Sequence, residues 1–362
     1  MRWSVTLVDD VLVRDEATFD AGSGRSRIEA RRRSFRLVGL IVAVCVLGVT
    51  MLLSLAIGAK AIPLTEVVRA FTDYDGTTDH LVVRELRLPR TIVGVMVGAA
   101  LGVAGALMQA ITRNPLADPG LLGVSAGSSL AVVIGISAFS LSSLSSLVWF
   151  AFAGAAVTSV AVYVLGSLGR GGATPVRLAL AGAALAGLLG SFTSAILLLD
   201  QSTLDQFRFW AVGSLAGRDV SVVSKMAPFV IGGLAVGLAC ARPLNTIGLG
   251  EEAARALGTR VGWTRAATAL SVTLLCGAAT AATGPIAFVG LVVPLAARSI
   301  AGPDQRWLLP YSAVIGPILL LTCDVVGRMI ARPSEVQVGI MTAAMGGPAF
   351  VFLVRRVRMA QL

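Results

Sequence analysis

Residues 87–129 read RLPRTIVGVMVGAALGVAGALMQAITRNPLADPGLLGVSAGSS, and this stretch decides the fold. The apolar run predicts a helix from Pro89 to about Thr112, long enough to cross a hydrocarbon core of ~30 Å. An Asn-Pro pair at residue 114 and an Asp-Pro pair at residue 118 then interrupt the chain. A second apolar stretch follows directly. The segment therefore predicts two membrane helices joined by a short polar break.

Small residues mark one face of the first of these helices. Gly94, Gly98 and Gly102 recur every four residues, which places them on the same side of a helix. This spacing lets two helices approach closely in a bilayer. The pattern leaves open whether the glycine face packs within the chain or against a second membrane subunit.

The whole chain has the composition of a membrane protein. Of its 362 residues, 56% are hydrophobic and 14% are charged, and the mean hydropathy is +0.83. Helix is the expected form of each apolar stretch, because lipid cannot hydrogen-bond exposed backbone. We therefore predict an all-α polytopic membrane protein with about ten transmembrane helices, near residues 37–58, 90–112, 119–139, 147–169, 177–199, 220–240, 262–282, 285–301, 308–330 and 337–354.

The net charge of +10 is distributed as in a membrane protein rather than a nucleic-acid-binding one. With the N-terminus inside and ten spans, 20 of the 30 Lys and Arg residues fall on the cytoplasmic side. Such an excess is the positive-inside asymmetry. We expect both termini to be cytoplasmic and expect no nucleic-acid partner.

Three polar regions are predicted outside the spans. Residues 1–36 are of mixed charge and predict a mostly disordered cytoplasmic arm. Residues 63–71 predict a short helix in an outer loop. Residues 200–219 form a second outer segment with aromatic side chains at interface depth. His80, the only histidine, lies in the first outer loop and is expected to be solvated.

The sequence offers little for covalent chemistry. It contains no G-x-x-x-x-G-K-[ST] phosphate loop and no evident nucleophile–base pair. One histidine in a loop and four cysteines that each lie in an apolar span do not suit a transition-metal site of the usual kinds. Ionisable residues within the spans are too sparse for a proton relay. We expect a transport subunit that is not an enzyme and binds no cofactor or metal of its own.

Residues 250–258, called the peg below, predict a short stiff helix between spans six and seven. Two carboxylates in its first turn complement the positive end of the helix dipole. Alanines keep the helix compact, and a glycine is placed for a left-handed C-terminal cap. An ordinary capped loop helix is the alternative. The candidate residues are Gly250, Glu251, Glu252, Ala253, Arg255, Ala256, Leu257 and Gly258.

These features together resemble a family of membrane permeases from ATP-driven importers of ferric siderophores and vitamin B12 (type II ABC importers). Residues 87–129 are similar to the second and third helices of those permeases. The strings GAKAIP, RFWAVGSL, GPIAFVGL and FLVRR bring the chain closest to the ferric enterobactin branch. The resemblance extends from about residue 37 to the end. It implies the type II permease fold for residues 37–362, with a coupling helix near residues 249–258.

The resemblance also implies roles for single residues. The family's G-x-x-A-x-x-L-G signature covers the peg, with Ala256 one position displaced, and in the family this helix sits in a cleft on the ATPase. Arg87, Arg90 and Arg328 align with arginines that receive acidic residues of the extracytoplasmic binding protein. Snorkelling interfacial arginines are the alternative. Leu295 stands where the family usually has His, so any role of that His is lost here.

A translocation pathway needs neutral polar or adaptable side chains among the helices. The candidates are Met108, Gln109, Asn114, Pro115, Ser125 and Thr193. Hydrogen bonds between helices are an equally good explanation of the polar ones.

The resemblance implies the permease subunit of a ferric-siderophore importer in the bacterial cytoplasmic membrane, working by alternating access. Its expected partners are a second, unlike permease, two ATPase subunits that bind ATP-Mg, a lipid-tethered binding protein, the ferric siderophore and membrane lipid. Pairing with itself is the alternative for the permease partner. The same fold with cobalamin or haem as cargo, and an ion-coupled secondary carrier, are the alternative functions. The sequence does not identify the siderophore.

Overall fold

The computed structural model describes residues 31, 33–141, 143–168 and 175–359, and no strand occurs among them. Most of the predicted N-terminal arm lies outside the described residues. The long helices are α1 (Arg33–Ala56), α4 (Leu88–Thr112), α5 (Val124–Phe139), α6 (Leu144–Ser167), α7 (Pro175–Leu199), α9 (Val220–Ala239), α12 (Val261–Thr283), α13 (Val289–Ala301), α14 (Gln305–Ile330) and α15 (Val338–Met359). The short ones are α2 (Leu64–Thr72), α3 (Thr78–Leu81), α8 (Gln201–Ala211), α10 (Ala241–Gly248) and α11 (Glu251–Ala256).

The ten predicted apolar helices are all present. Eight are long and apolar enough to span a membrane, whereas α5 and α13 have only 16 and 13 residues. Both begin later than predicted, at residues 124 and 289 instead of 119 and 285. A 3₁₀ turn, Pro119–Leu122, and the left-handed Gly123 precede α5. Gly284 and Phe288, with φ of 78° and 68°, keep the chain non-helical before α13.

Residues from 46 onward form one compact unit, and all packing described here lies within it. Helix α4 forms the centre of this helix bundle. It packs against α9, α12, α13 and α14. A Cβ on Gly98 would lie 2.5 Å from the backbone of Pro317, and one on Gly102 would meet the carbonyl of Ser312. The glycine face therefore packs against α14 within the subunit, which resolves the question left open by the sequence.

The predicted coupling and docking residues lie at two separate ends of the bundle. The peg end carries α10, α11, the α4–α5 break and the α13–α14 turn, and all of these except α11 line a shared cavity. The arginine end carries α2, α3, the end of α1 and the α14–α15 connection. Arginine side chains of α4 and α14 reach the α14–α15 connection and the end of α1. The two ends separate the predicted coupling residues from the predicted docking residues.

His80 is buried at the arginine end, contrary to the expectation that it is solvated. It is 1% exposed, and its Nδ1 lies 2.7 Å from a carboxylate oxygen of Asp75. Its Nε2 lies 3.5 Å from Glu66, and the ring stacks on Tyr74. The expectation was wrong because α2 folds back over α3 and covers the ring, a contact that the local sequence does not encode.

Candidate coupling, docking and pathway sites

The peg has the local geometry that its sequence predicts. Glu251 and Glu252 begin α11, and Gly258 ends it with φ of 80°. The Gly258 N–H donates to the Arg255 carbonyl, and the Thr259 N–H donates to the Ala254 carbonyl, each at 2.9 Å. This pair of bonds is a Schellman motif, which requires a left-handed residue at the Gly258 position.

The base of the peg is apolar, and its outer face carries alanines together with charged side chains and a leucine. Ala254 is fully buried and packs with Ile247 and Val261. The hydroxyls of Thr246 and Thr259 lie 2.7 Å apart and tie the two ends of the segment together. The outer face exposes Glu252, Ala253, Arg255, Ala256 and Leu257, the last with 63% of its surface. A partner at this face would meet Leu257 together with the charged side chains of Glu252 and Arg255.

A residue that the sequence analysis missed anchors the peg. Arg265, on α12, forms an ion pair with Glu251, and Arg255 contacts the same carboxylate at 3.2 Å. The Arg265 side chain is only 10% exposed, so it links the peg to the interior of the bundle. Arg265 lies 14 residues from Glu251, a spacing that predicts no contact. A basic residue near the start of a membrane helix was the only signal in the sequence.

At the arginine end, Arg90 and Arg328 share one buried carboxylate. Arg90 contacts Asp324 at 2.7 Å, and Arg328 contacts its other oxygen at 2.9 Å. Arg90 also reaches Glu335 at 2.8 Å, near the surface. The Asp324 side chain is completely buried, so these cations compensate a charge that would otherwise be costly.

The other predicted docking residue, Arg87, is held by backbone carbonyls. It donates to Leu55 and Ala56 at 2.7 and 2.8 Å and to Lys60 at 2.5 Å. Arg87 and Arg328 are 6% and 4% exposed. The structure thus brings the three arginines together and engages each within the chain. Their docking role stays a prediction, and of the three only Arg90 pairs with a carboxylate near the surface, that of Glu335.

Arg218 is a further cation at this end that the sequence analysis missed. It follows α8, is 6% exposed, and its Nε has no hydrogen-bond partner among the described residues. Burial and the nearby charge of Arg90 lower its pKa to about 10, so it remains protonated at neutral pH.

At the peg end, a cavity of about 500 Å³ opens between four helix ends. Gln109 and Pro115, two predicted pathway residues, line it. The other lining residues are Ala110, Arg113, Leu244, Asn245, Gly248, Leu249, Arg298, Pro303, Asp304 and Gln305. None of these ten was predicted. Ala110 and Arg113 adjoin predicted residues, whereas the other eight come from distant parts of the chain and converge only in the folded bundle.

The remaining pathway candidates lie elsewhere. Met108 borders a small void on the other side of α4, and the Asn114 side chain accepts from the Leu116 N–H at 2.9 Å. Thr193 donates to the Leu189 carbonyl within its own helix at 2.8 Å. Ser125 is half-buried and does not line the large cavity. Assignment of all six to a translocation pathway stays a prediction.

Asp304 lines the cavity, and neighbouring side chains already compensate its negative charge. Burial raises its pKa, but hydrogen bonds from Arg306 and Asn245 outweigh that effect and hold the pKa below its usual range. Asn245 donates to it at 2.6 Å, and the Arg306 guanidinium contacts it at 3.0 Å. In contrast, Arg113 and Arg298 have no carboxylate partner among the described residues.

Ten apolar helices, a helical peg at one end and a polar cavity beside it define a polytopic helical permease. The chain belongs to the FecCD transport family, whose sequence pattern it matches over residues 46–356. Among the described residues, no cluster of three or more His, Cys, Asp or Glu side chains is arranged to hold a metal ion.

Relatives within this family are similar over nearly their full length. The ferric enterobactin transport system permease protein FepD of Escherichia coli (strain K12) is 47% identical over 325 residues, covering 90% of this chain and 96% of that protein. The Fe(3+)-citrate import system permease protein YfmD of Bacillus subtilis (strain 168) is 43% identical, covering 91% and 97%.

A solved structure shares the fold. A metal-chelate type ABC transporter in an inward-facing conformation superimposes with a TM-score of 0.76 at 27% identity, covering 88% of this chain and 98% of that one. The type II ABC importer permease fold expected from the sequence is therefore confirmed.

Proposed function

We propose that this chain is the membrane permease subunit of a ferric-siderophore importer. The observation that carries the proposal is the family match over residues 46–356, with relatives named for ferric enterobactin and ferric citrate transport. The chain contributes the helical bundle through which the chelate passes, by alternating access, and performs no covalent chemistry itself.

ATP hydrolysis belongs to a separate subunit in this proposal. The chain has no phosphate loop, and the peg offers the small exposed face that a cleft on an ATPase would accept. ATP-Mg is then bound by two copies of that partner. Movement of the peg passes to the bundle through the Glu251–Arg265 ion pair.

The permease partner and the delivery protein are also proposed. We favour a second, unlike permease because of the likeness to the enterobactin branch, with a homodimer as the alternative outcome. A lipid-tethered binding protein docks at the arginine end, where Arg90 and Glu335 reach the surface. Co-purification from the native host, with identification of every eluted chain, tests the composition. Recovery of this permease with an ATPase as the only other subunit contradicts the unlike pair.

We propose that the peg end faces the cytoplasm of a bacterial cell and that both termini lie there. The positive-inside excess of Lys and Arg supports this orientation. Asp73, exposed in the loop after α2, provides the test. In a variant with the exposed Cys45 replaced by Ala, Asp73→Cys is expected to react with an impermeant thiol reagent in spheroplasts, whereas Gly258→Cys is not. The reverse labelling pattern contradicts the orientation.

Transport in proteoliposomes tests the function itself. The complex purified with its ATPase is expected to accumulate radioiron supplied as a ferric siderophore with its binding protein, only when ATP-Mg is present on the ATPase side. Uptake of cobalamin or haem instead of the iron chelate assigns the alternative cargo. Uptake driven by an ion gradient without ATP assigns the secondary-carrier class and contradicts the proposal.

A further inference from the structure

The buried face of helix α2 fixes its position beside the end of α1. Val67 and Ala70 are 2% and 0% exposed and belong to one apolar cluster with Leu55 and Ala56, the last two residues of α1. The Ile62 N–H, just before α2, donates to the Ala56 carbonyl at 2.9 Å. Helix α2 therefore begins where the apolar membrane helix α1 ends.

A second apolar face of α2, called the stripe below, is exposed. It consists of Leu64, Val68 and Phe71, which are 53%, 56% and 45% exposed. Their spacing of four and three residues places them on one side of the helix. Single exposed apolar side chains need no explanation, whereas a contiguous group marks a surface for lipid or for another protein.

The polar residues of α2 lie on the side away from the stripe. Thr65 and Arg69 are exposed, and the Arg69 guanidinium contacts Glu66 at 3.0 Å. These positions follow one another at three- and four-residue spacings, as the stripe does, so each set occupies its own side of the helix. A short helix with one apolar and one charged exposed side is typical of helices that lie in the plane of a membrane interface.

The neighbouring part of α1 indicates which partner the stripe meets. Val49, Leu52 and Leu53, in the last two turns of α1, are 57%, 49% and 42% exposed. Exposed side chains of a membrane-spanning apolar helix face the acyl chains. Helix α1 is thus in contact with lipid almost to its end, and α2 begins at that end. Tyr74, 47% exposed just after α2, suits the headgroup level.

We infer that α2 is an interfacial helix whose stripe inserts into the boundary between headgroups and acyl chains at the arginine end. The partner is the lipid of the bilayer. Insertion of the stripe holds the segment between α1 and α4 against the membrane surface. The inference goes beyond the proposed function and depends neither on the cargo nor on ATP.

Fluorescence quenching of the full-length permease in phosphatidylcholine–phosphatidylglycerol nanodiscs tests the inference. The exposed Cys45 is replaced by Ala, the other three cysteines are buried, and bimane is attached to Val68→Cys or Arg69→Cys. Lipids with a nitroxide near the headgroup end of the acyl chain are expected to quench the Val68 label at least about twofold more than the Arg69 label, and aqueous iodide to do the reverse. Val49→Cys provides the lipid-exposed control. Equal iodide quenching of the Val68 and Arg69 labels overturns the inference.

A charge placed on the stripe provides a second measurement. With bimane on Phe71→Cys, Val68→Asp is expected to raise iodide quenching at least about twofold, because a carboxylate on the stripe opposes insertion. Thr65→Asp adds the same charge to the polar side and is expected to leave the quenching unchanged. Equal effects of the two substitutions overturn the inference. Monodisperse elution and equal melting temperatures verify that both variants fold.

The same label distinguishes lipid from a protein partner. In the complex purified from the native host and reconstituted with its delivery protein, lipid quenching of the Val68 label is expected to persist. Loss of lipid quenching in the complex assigns the stripe to a protein subunit and overturns the inference. Iron uptake enters none of these measurements, so failure of the proposed function and failure of this inference are distinguishable.

Discussion

The Arg328 Nη1 atom on α14 donates to the carbonyl of Ile57, just beyond the end of α1, across 2.8 Å and 271 positions of sequence. The same atom donates to the Ser54 carbonyl at 3.1 Å, and Arg87 donates to the carbonyls of Leu55 and Ala56. The last carbonyls of a helix have no partner within it. Two buried arginines supply those partners, so they fix the end of α1 to the bundle.

Replacement of Arg328 by Met is therefore expected to destabilise the permease. The change removes the arginine donor from the carbonyls of Ser54 and Ile57 and removes one cation from the buried Asp324. Breaking a buried ion pair costs about 3–5 kcal/mol. Thermal unfolding in detergent measures the effect, with Arg332→Met as the control because Arg332 is exposed in the following turn. Equal melting temperatures for the two variants contradict this role.

The same assay bears on docking of the binding protein. If Arg328 acts only within the chain, the Arg328→Met variant that remains folded at low temperature binds the delivery protein as wild type does. Arg90→Gln, which removes the contact with the half-exposed Glu335, is the variant in which weaker binding is expected. The weakening is largest at low salt, because exposed charges are screened over ~8 Å at physiological ionic strength.

Packing of the glycine face gives a second prediction. Gly98→Val is expected to disrupt the contact of α4 with α14, because the added Cβ meets the Pro317 backbone. Backbone cannot move as a flexible side chain can, and overpacking costs about 1–3 kcal/mol or more. Gly232→Val on α9 is the matched control, since nothing lies within 4 Å of its Cβ position. Yield of monodisperse protein and melting temperature are expected to fall only for Gly98→Val.

The sequence predicts the features of this fold that depend on residues close together in the chain, and it misses those that depend on contacts between distant residues. The peg was predicted residue by residue because carboxylates in a first turn and a glycine cap act within a few residues. The starts of α5 and α13 were misplaced because a membrane-length apolar run does not reveal a non-helical entry. His80, Arg265 and Arg298 escaped prediction because their partners, or the cavity they line, come from elements distant in sequence.

The Glu251–Arg265 pair gives a third prediction. Glu251→Gln and Arg265→Gln are each expected to reduce transport per ATP hydrolysed, and the double variant to lose little more than either one. Such non-additivity is the signature of one shared contact. Additive losses contradict a mechanical link between the peg and α12.

The N-terminus of α8 gives a prediction about pH. Hydrogen bonds from Thr203 and Ser202 lower the pKa of Asp200 to about 2. The pKa of an unfolded Asp is about 3.9, so the contribution of this cap is fully present above pH ~4 and lost as pH falls through about 2. Hydrogen exchange of α8, corrected for intrinsic rates, is expected to accelerate over that window. Asp200→Asn keeps a capping side chain without the titration and is expected to flatten the response.

Substitutions at Gly258, the cap of the peg, distinguish an effect of backbone conformation from an effect of side-chain contact. Gly258 has φ of 80° and nothing within 4 Å of its Cβ position, so within this chain a substitution there acts through the backbone and not through a clash. A residue with a β-branched side chain in this region costs about 1–3 kcal/mol. Gly258→Val is therefore expected to deform the peg, lower recovery of the ATPase with the permease and uncouple hydrolysis from uptake.

Two companion variants sharpen this last prediction. Gly258→Asn is expected to retain most of the coupling, because Asn adopts the left-handed conformation more readily than other non-glycine residues. Gly262→Val, near the start of α12 and with equally open space, is expected to behave as wild type because its backbone is helical. ATP hydrolysis and radioiron uptake measured on the same proteoliposomes give the coupling ratio for each variant. If Gly258→Asn fails as completely as Gly258→Val, the partner needs the bare surface of glycine rather than its conformation.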